Sequence, residues 1–325
     1  MANYRWHLLC ERTSKHTKSG CRPSWVVFYR VAQGKKVDSH CPNNYNIIMP
    51  RSIEVCTTYN KKYYDIIAKD MIKSFIKYWP KDCTLHVYYQ EQEPELLQDN
   101  IVYHELYKVQ PQLKEWIDRH PEIGYRGWRA DRNQYVWKND GVKFSHKVFA
   151  QTHRIKNSTA DVILYSDADT LYTAPPDLDY LREICPENYL CTFFDRPNMR
   201  DETGFYMHNP QHPKAKQWAN RLEDIYLSGE VWTHAKNRAA DQYTMAYGRE
   251  SFKDCNQMDL MQHPLGLMEH PKYTMTRFDR DPVPTSPLSR FLEHLKGKRK
   301  LKTSKTHPDY LQQLDVKNLK QEENK

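Results

Sequence analysis

Two aspartates one residue apart, Asp167 and Asp169, are the groups in this sequence best placed to do chemistry. They follow Val162-Ile163-Leu164-Tyr165-Ser166, whose short, partly β-branched apolar run reads as a buried strand rather than a helix. In an open α/β sheet, ligands sit beyond the carboxyl ends of the strands, so the pair is expected to face a cleft. With no basic neighbour in sequence, two carboxylates there make a hard oxygen site suited to Mg²⁺ or Mn²⁺. Such an ion keeps open positions that substrate phosphates fill. Ordinary turn residues are the other reading of the same pair. The D-x-D spacing recurs at Asp177/Asp179, behind Pro175-Pro176, where acids suit a helix N-terminus. It recurs again at Asp279/Asp281, in a proline-punctuated loop.

The elements that must position the pair lie on both sides of it. Ile53 to Tyr59 alternates like a strand and Asn60 ends it. Tyr64, Ile67, Met71, Phe75 and Tyr78 then recur at helical spacing, which predicts a helix over Lys61–Trp79 stopped by Pro80. Thr84–Tyr89 and Ile101–His104 read as two further strands. This β-α-β opening predicts a mostly parallel, doubly wound, Rossmann-like sheet. Residues 111–140 read as short helices and loops broken by Gly124, Gly127 and Gly141. A helix over Val142–Ile155 is expected to turn Phe144, Val148 and Phe149 inward and to feed the aspartate strand. Lys147 and Arg154 lie two turns apart on nearly one face of it, reaching either the cleft or solvent. Tyr189–Phe194 and Gly204–His208 read as strands, Pro213–Tyr226 and Arg238–Tyr247 as helices.

The totals narrow the function further. The 325 residues are 39% hydrophobic, enough for one large core. No run approaches the roughly 18 apolar residues of a membrane span, and Met1 to Cys10 lacks the apolar stretch of a secretory signal. A cytoplasmic protein with its eight cysteines reduced is expected. Formal charge is +8, concentrated at the ends. Residues 1–50 carry eight Lys/Arg against Glu11 and Asp38, and residues 296–305 carry six and no acid. Three regions follow: a basic extension over 1–50, an α/β body over 51–295, and a basic tail over 296–325. Basic ends suit a polyanion such as nucleic acid, an anionic membrane surface, or simply solvent. Within the extension, Trp25–Val31 could form a strand. With only 10 glycines and neither G-x-G-x-x-G nor G-x-x-x-x-G-K-[ST], phosphates must be held by a metal and side chains rather than by a glycine loop.

Four stretches fall in a telling order: Thr57-Thr58-Tyr59-Asn60 at one strand end, Asp167-Ala168-Asp169 at another, then Glu202-Thr203-Gly204-Phe205, then Ala240-Asp241-Gln242, with His263-Pro264-Leu265-Gly266 beyond. This order resembles the GT-A family of metal-dependent, nucleotide-sugar glycosyltransferases, most closely bacterial and phage-type members, over residues 52–275. The resemblance implies that Thr57, Tyr59 and Asn60 hold nucleobase and ribose, and that Lys147 approaches the diphosphate. It implies that Asp167 and Asp169 reach ribose and a Mn²⁺ or Mg²⁺ ion, and that Glu202, Gly204 and Asp241 line the sugar and acceptor pocket. It makes His263 a third metal ligand, through the H-x-x-G-x-x-K pattern of glycogenin-like members. Glu269 takes the lysine place of that pattern here, and His270 is a rival ligand. The expected donor is a UDP-sugar. Asp241 and Glu202 are the carboxylates that could take the acceptor's proton, or else a helix cap and a turn residue.

The acceptor is expected to be hydroxylated bases of DNA, given the basic ends, or a cell-envelope or lipid-linked glycan. Rival classes fit less well. An aspartyl phosphatase wants D-x-D-x-[TV], whereas Thr170 and Leu171 follow the pair directly. A nucleotidyltransferase wants a glycine-rich loop where Tyr59-Asn60-Lys61-Lys62 stands. A non-enzymatic nucleic-acid-binding module leaves the acidic strand end unexplained.

Overall fold

A computed structural model describes residues 50–91, 94–122, 125–196, 200–234, 238–263, 265 and 287–295. All of them belong to the unit Pro50–Lys325. The possible strand Trp25–Val31, the basic ends, His270 and the third D-x-D lie outside these residues.

The chain opens with β1 (Ile53–Tyr59). Its helix follows as a single turn α1 (Lys61–Tyr63), a π-helical stretch Tyr64–Ala68, and α2 (Lys69–Tyr78). Strands β2 (Thr84–Tyr89) and β3 (Ile101–Glu105) lead into α3 (Leu106–Val109) and α4 (Pro111–Asp118). A hairpin of β4 (Arg126–Arg129) and β5 (Gln134–Asp140) precedes the long α5 (Gly141–Asn157). Next come β6 (Val162–Ser166), β7 (Thr170–Tyr172), α6 (Leu178–Glu183), β8 (Cys191–Phe193), β9 (Asp195–Arg196), β10 (Arg200–Asp201) and β11 (Phe205–His208). The described chain ends with α7 (Ala215–Leu227), α8 (Asp241–Glu250), β12 (Gln257–Asp259) and β13 (Leu292–His294).

Seven strands form the central sheet in the order β12-β8-β11-β6-β1-β2-β3. Six run in the same direction, and β11 alone is reversed between β6 and β8. This is the mostly parallel, doubly wound α/β arrangement that the β-α-β opening predicts. Successive side chains of a strand point to opposite faces, and two cores follow. Val162 and Leu164 join Met71 and Phe75 of α2 on one face. Ile163 and Tyr165 join Phe149 of α5 and Trp218 of α7 on the other. No helix among the described residues is long and apolar enough to cross a membrane. The described cysteines, 56, 83, 185, 191 and 255, are free thiols.

Two expectations need correction. Part of 111–140 is not loop but the β4–β5 hairpin. Gly127 sits at φ 87, where a Cβ would come within 2.8 Å of the Tyr135 ring, and Asn133 takes φ 47 in the turn. Left-handed backbone of this kind favours glycine and asparagine, and Gly127 takes it where the β4–β5 register shifts between Arg126 and Trp128. Phe144 is only half-buried and meets Trp137 edge-on at 6.1 Å rather than entering the core. The second D-x-D behaves as read: the Asp177 side chain accepts a hydrogen bond from Tyr180 N and caps α6.

The buried histidines make stability pH-dependent. His208 is buried, and its Nδ1 accepts from the Trp218 indole while its Nε2–H donates to Gln151 Oε1. That pattern needs the neutral ring, and burial pushes its pKa down from 6.5 to about 3. Burial likewise pushes His104 and His153 to about 4, with neighbouring histidine and Arg154 charges adding to the shift. Below pH 6.5 the unfolded chain takes up these protons and the folded chain does not, so stability falls with falling pH down to about 4. Asp201 works against this. Burial raises it from 3.8 to about 6 despite Arg249, so acidification over that interval relieves it. Urea unfolding from pH 7 to 4.5 is expected to show a net decline, shallower in His208→Gln by about one proton. Equal slopes for parent and variant would contradict the assignment.

Candidate active site

The strand β6 ends at Ser166, and the chain reverses at once, Thr170 N donating to Asp167 O at 2.9 Å. Asp167 N in turn donates to Gly204 O at 3.0 Å, just before β11 begins. The tight turn sets both aspartates at the carboxyl end of the central strand, beside a cavity of about 720 Å³. Thr58, Tyr59 and Asn60 line the cavity on the β1 side, and Lys147, Asp167 and Asp169 on the β6 side.

Lys147 comes from α5, whose N-terminus is capped by Asp140 through Lys143 N. Its Nζ lies 2.6 Å from Asp167 Oδ1 and 2.7 Å from Asp241 Oδ2. Burial works against the ammonium charge, but these two carboxylates outweigh it and hold Lys147 above the ordinary lysine range. The reading of Lys147 and Arg154 as a solvated face fails, because both are buried. Arg154 turns away from the cavity to Glu54, at 3.2 Å. Burial raises Asp167 above the usual carboxylate range; Lys147 opposes this and Asp169 adds to it. Two carboxylates held this close repel one another, and a bound cation would relieve that repulsion.

A third group completes such a site. His294 Nε2 donates to Asp169 Oδ1 at 2.9 Å and lies 3.7 Å from Asp167 Oδ2. Among the described residues, Asp167, Asp169 and His294 are the cluster whose ligand atoms lie within 4.8 Å of one another. The pairing of β13 with β7 brings the histidine there: His294 stands opposite Thr170, and Leu295 N donates to Asp169 O at 2.8 Å. Gly204 makes room for it, since a Cβ there would meet His294 Cε1 at 2.1 Å. The His294 Nδ1 atom is buried without a partner. One imidazole and two carboxylates form a donor set that fits Mn²⁺ or Mg²⁺.

His263 is not in this cluster. Its Nδ1 accepts from Leu265 N at 3.3 Å and its backbone N donates to Asp259 O. A signal for His294 was nevertheless present in the sequence. His294-Leu295-Lys296-Gly297-Lys298-Arg299-Lys300 carries H-x-x-G-x-x-K complete, with Lys300 in the place that Glu269 takes after His263. It lies at the edge of a charge run, which composition reads as a solvated tail.

The remaining predicted residues divide. Tyr59 lines the cavity and its hydroxyl is buried without a partner. Asn60 caps α1, accepting from Tyr63 N at 3.0 Å. Thr57 is buried and stands off the cavity wall, where its neighbour Thr58 lies instead. Asp241 is the first residue of α8 rather than its cap, and its Oδ1 accepts from Gln242 N. Glu202 is buried, bonded to Arg196 at 2.6 Å and accepting from Gly204 N at 2.9 Å. Arg196 also donates to Gln242 Oε1 at 3.2 Å, so Glu202 and the start of α8 are tied through one guanidinium.

No protein-family model matches the chain, and no curated protein matches it. Among solved structures it is similar to apo mouse xyloside xylosyltransferase 1, at 13% identity and a TM-score of 0.39, over 64% of this chain and 84% of that one. It is also similar to the apo form of the glycosyltransferase GlyE of Streptococcus pneumoniae TIGR4, at 14% identity and a TM-score of 0.41, over 84% of this chain and 63% of that one.

Proposed function

We propose that this protein is a GT-A-like glycosyltransferase of the bacterial or phage type. It moves a sugar from a nucleotide-diphosphate donor, a UDP-sugar first among them, to an acceptor hydroxyl in the cytoplasm. The single observation that carries this reading is the Asp167, Asp169 and His294 cluster at the rim of a cavity of about 720 Å³. That volume is in the range of small-molecule sites.

In this reading the three side chains hold a Mn²⁺ or Mg²⁺ ion. When bound, the cation supplies Lewis-acid neutralisation of the charge that builds on the leaving diphosphate. Lys147 adds a fixed positive charge on the same side, where it needs no reorganisation as the bond breaks. Lys300 of the intact H-x-x-G-x-x-K pattern is assigned to the same diphosphate. Thr58, Tyr59 and Asn60 hold nucleobase and ribose, the partnerless Tyr59 hydroxyl being the group that lacks a protein acceptor. Asp241 is the carboxylate proposed to take the acceptor's proton, while Glu202, already engaged by Arg196 and Gly204, holds the turn beneath the sugar. The charge of the two chain ends favours nucleic acid as acceptor, with hydroxylated DNA bases as the reacting groups.

The test is release of labelled sugar from a panel of radiolabelled nucleotide sugars, with Mn²⁺, with Mg²⁺ and with EDTA. At least one donor is expected to be hydrolysed slowly in the presence of a cation and not in EDTA. No release from any donor with either cation would overturn the reading.

A further inference from the structure

The β4–β5 hairpin carries side chains that neither the core nor the cluster at β6 uses. Tyr135 and Trp137, on alternate positions of β5, remain 50% and 42% exposed, two of four large apolar side chains so exposed among the described residues. Exposed aromatics at a cavity rim call for an explanation more than scattered aliphatic ones do. The hairpin is firmly built: Gly127 lies against the Tyr135 ring, and the Tyr135 hydroxyl donates to Asp140 Oδ2 at 2.9 Å. Its aromatic face is continuous with the cavity. Trp137 meets Phe144 edge-on, and both Phe144 and Tyr135 line the cavity wall.

Positive charge predominates around these rings: residues 126–143 carry Arg126, Arg129, Arg132, Lys138 and Lys143 against Asp131 and Asp140. Arg129 and Arg132 are occupied by Asp131, at 2.8 and 3.7 Å. Arg126, Lys138 and Lys143 have no carboxylate partner among the described residues. Lys138 Nζ stands 5.4 Å from the Trp137 ring centroid and Lys143 Nζ 5.5 Å from that of Phe144. A neutral sugar can stack on tryptophan but gains nothing from three unpaired cations. Alternating flat rings and negative charges match both features: bases stack on exposed aromatics, and phosphates meet the cations. Stacking needs an open base face, which a paired duplex hides.

We propose that the β4–β5 hairpin docks unpaired nucleotides of a nucleic-acid strand, with a base on Trp137 and the phosphates on Arg126, Lys138 and Lys143. Its purpose, delivering an acceptor base to the cavity, rests on the transferase reading above; the binding itself does not.

The test uses the full chain and a fluorescein-labelled oligothymidylate of about 16 nucleotides, the upper site size of a small single-strand binder, without donor or cation. Trp137→Ala is expected to weaken binding about tenfold, the loss of one stacked base, at unchanged salt dependence. Lys138→Ala is expected to reduce the slope of log K against log salt by about 0.7, one phosphate contact on a single strand. Trp137→Phe, which keeps a ring, is expected to restore most of the affinity and to separate stacking from misfolding. The basic ends are present in every variant and cancel in the comparison. Parental affinity in Trp137→Ala would overturn the proposal. So would no binding by the parent at low salt, or tighter binding to a neutral oligosaccharide or to anionic vesicles. Because no donor is present, failed sugar release would sink the transferase reading and leave this result standing.

Discussion

Asp169→Asn is expected to cut sugar release and transfer by about a thousandfold or more, the several kcal/mol that Lewis-acid stabilisation of a leaving group supplies. The change removes a charge while keeping size and a carbonyl oxygen. That oxygen can still accept from His294 Nε2, now 2.9 Å from Asp169 Oδ1, and the backbone contact of Asp169 O with Leu295 N is untouched. The fold is therefore expected to hold. Asp169 also adds to the repulsion felt by Asp167, so in EDTA the variant is expected to be no less stable than the parent. The distinguishing readout is thermal. A ligand that binds only the folded state raises the melting temperature, so added Mn²⁺ should stabilise the parent and not the variant. A variant that turns over within a few-fold of the parent, or that Mn²⁺ stabilises equally, would remove Asp169 from the metal site.

The second large effect separates two histidines. His294→Gln is expected to raise the Mn²⁺ concentration needed for half-maximal activity by at least about tenfold, the smaller of the losses seen when even an outer partner of a metal ligand goes. His263→Ala is expected to leave that concentration unchanged, since the ring of His263 serves Leu265 N. His294 is buried against Gly204, so glutamine, which keeps most of the volume and a polar atom, is the informative replacement rather than alanine. Should His263→Ala raise the metal requirement while His294→Gln does not, the pairing of β13 with β7 would not be what forms the site. A truncation bears on the same region. Removing 296–325 deletes Gly297 and Lys300 along with the basic run, so it cannot report on acceptor docking alone; removing 306–325 spares both.

Much of the fold is legible because its signals are local. The alternation in β1, the helical spacing in α2 and the short apolar run of β6 each reflect a face that must be buried within a few residues of chain. A strand ending in Asp167-Ala168-Asp169 after such an opening places those carboxylates at a sheet's edge before any tertiary contact is known. The helix that carries Lys147 is also legible, but its periodicity leaves that side chain facing either the cleft or solvent, and the contacts with Asp167 and Asp241 decide it. The β4–β5 hairpin is hidden for a matching reason. Most of Gln134–Asp140 stays at least partly exposed, so its strand lacks an apolar face to announce it. It also uses left-handed backbone at Gly127, where the register shifts, and at Asn133 in the turn, which residue type permits but does not demand.

The sequence by itself determined the parallel α/β body, the strand that delivers Asp167 and Asp169, and the helix that delivers Lys147. Each of these follows from periodicity over a handful of residues. Only the tertiary structure decided that β11 runs against its neighbours, that Glu202 is spent on Arg196, and which histidine joins the aspartates. Two segments of this chain, at His263 and at His294, begin the same short pattern; only the second completes it, and it does so at the edge of a charge run that composition reads as a solvated tail. The choice is made by β13 pairing with β7, which sets His294 beside Asp169 across 125 residues of chain. Such a contact is governed by register and by the space left at Gly204, and neither is written in any one stretch of sequence.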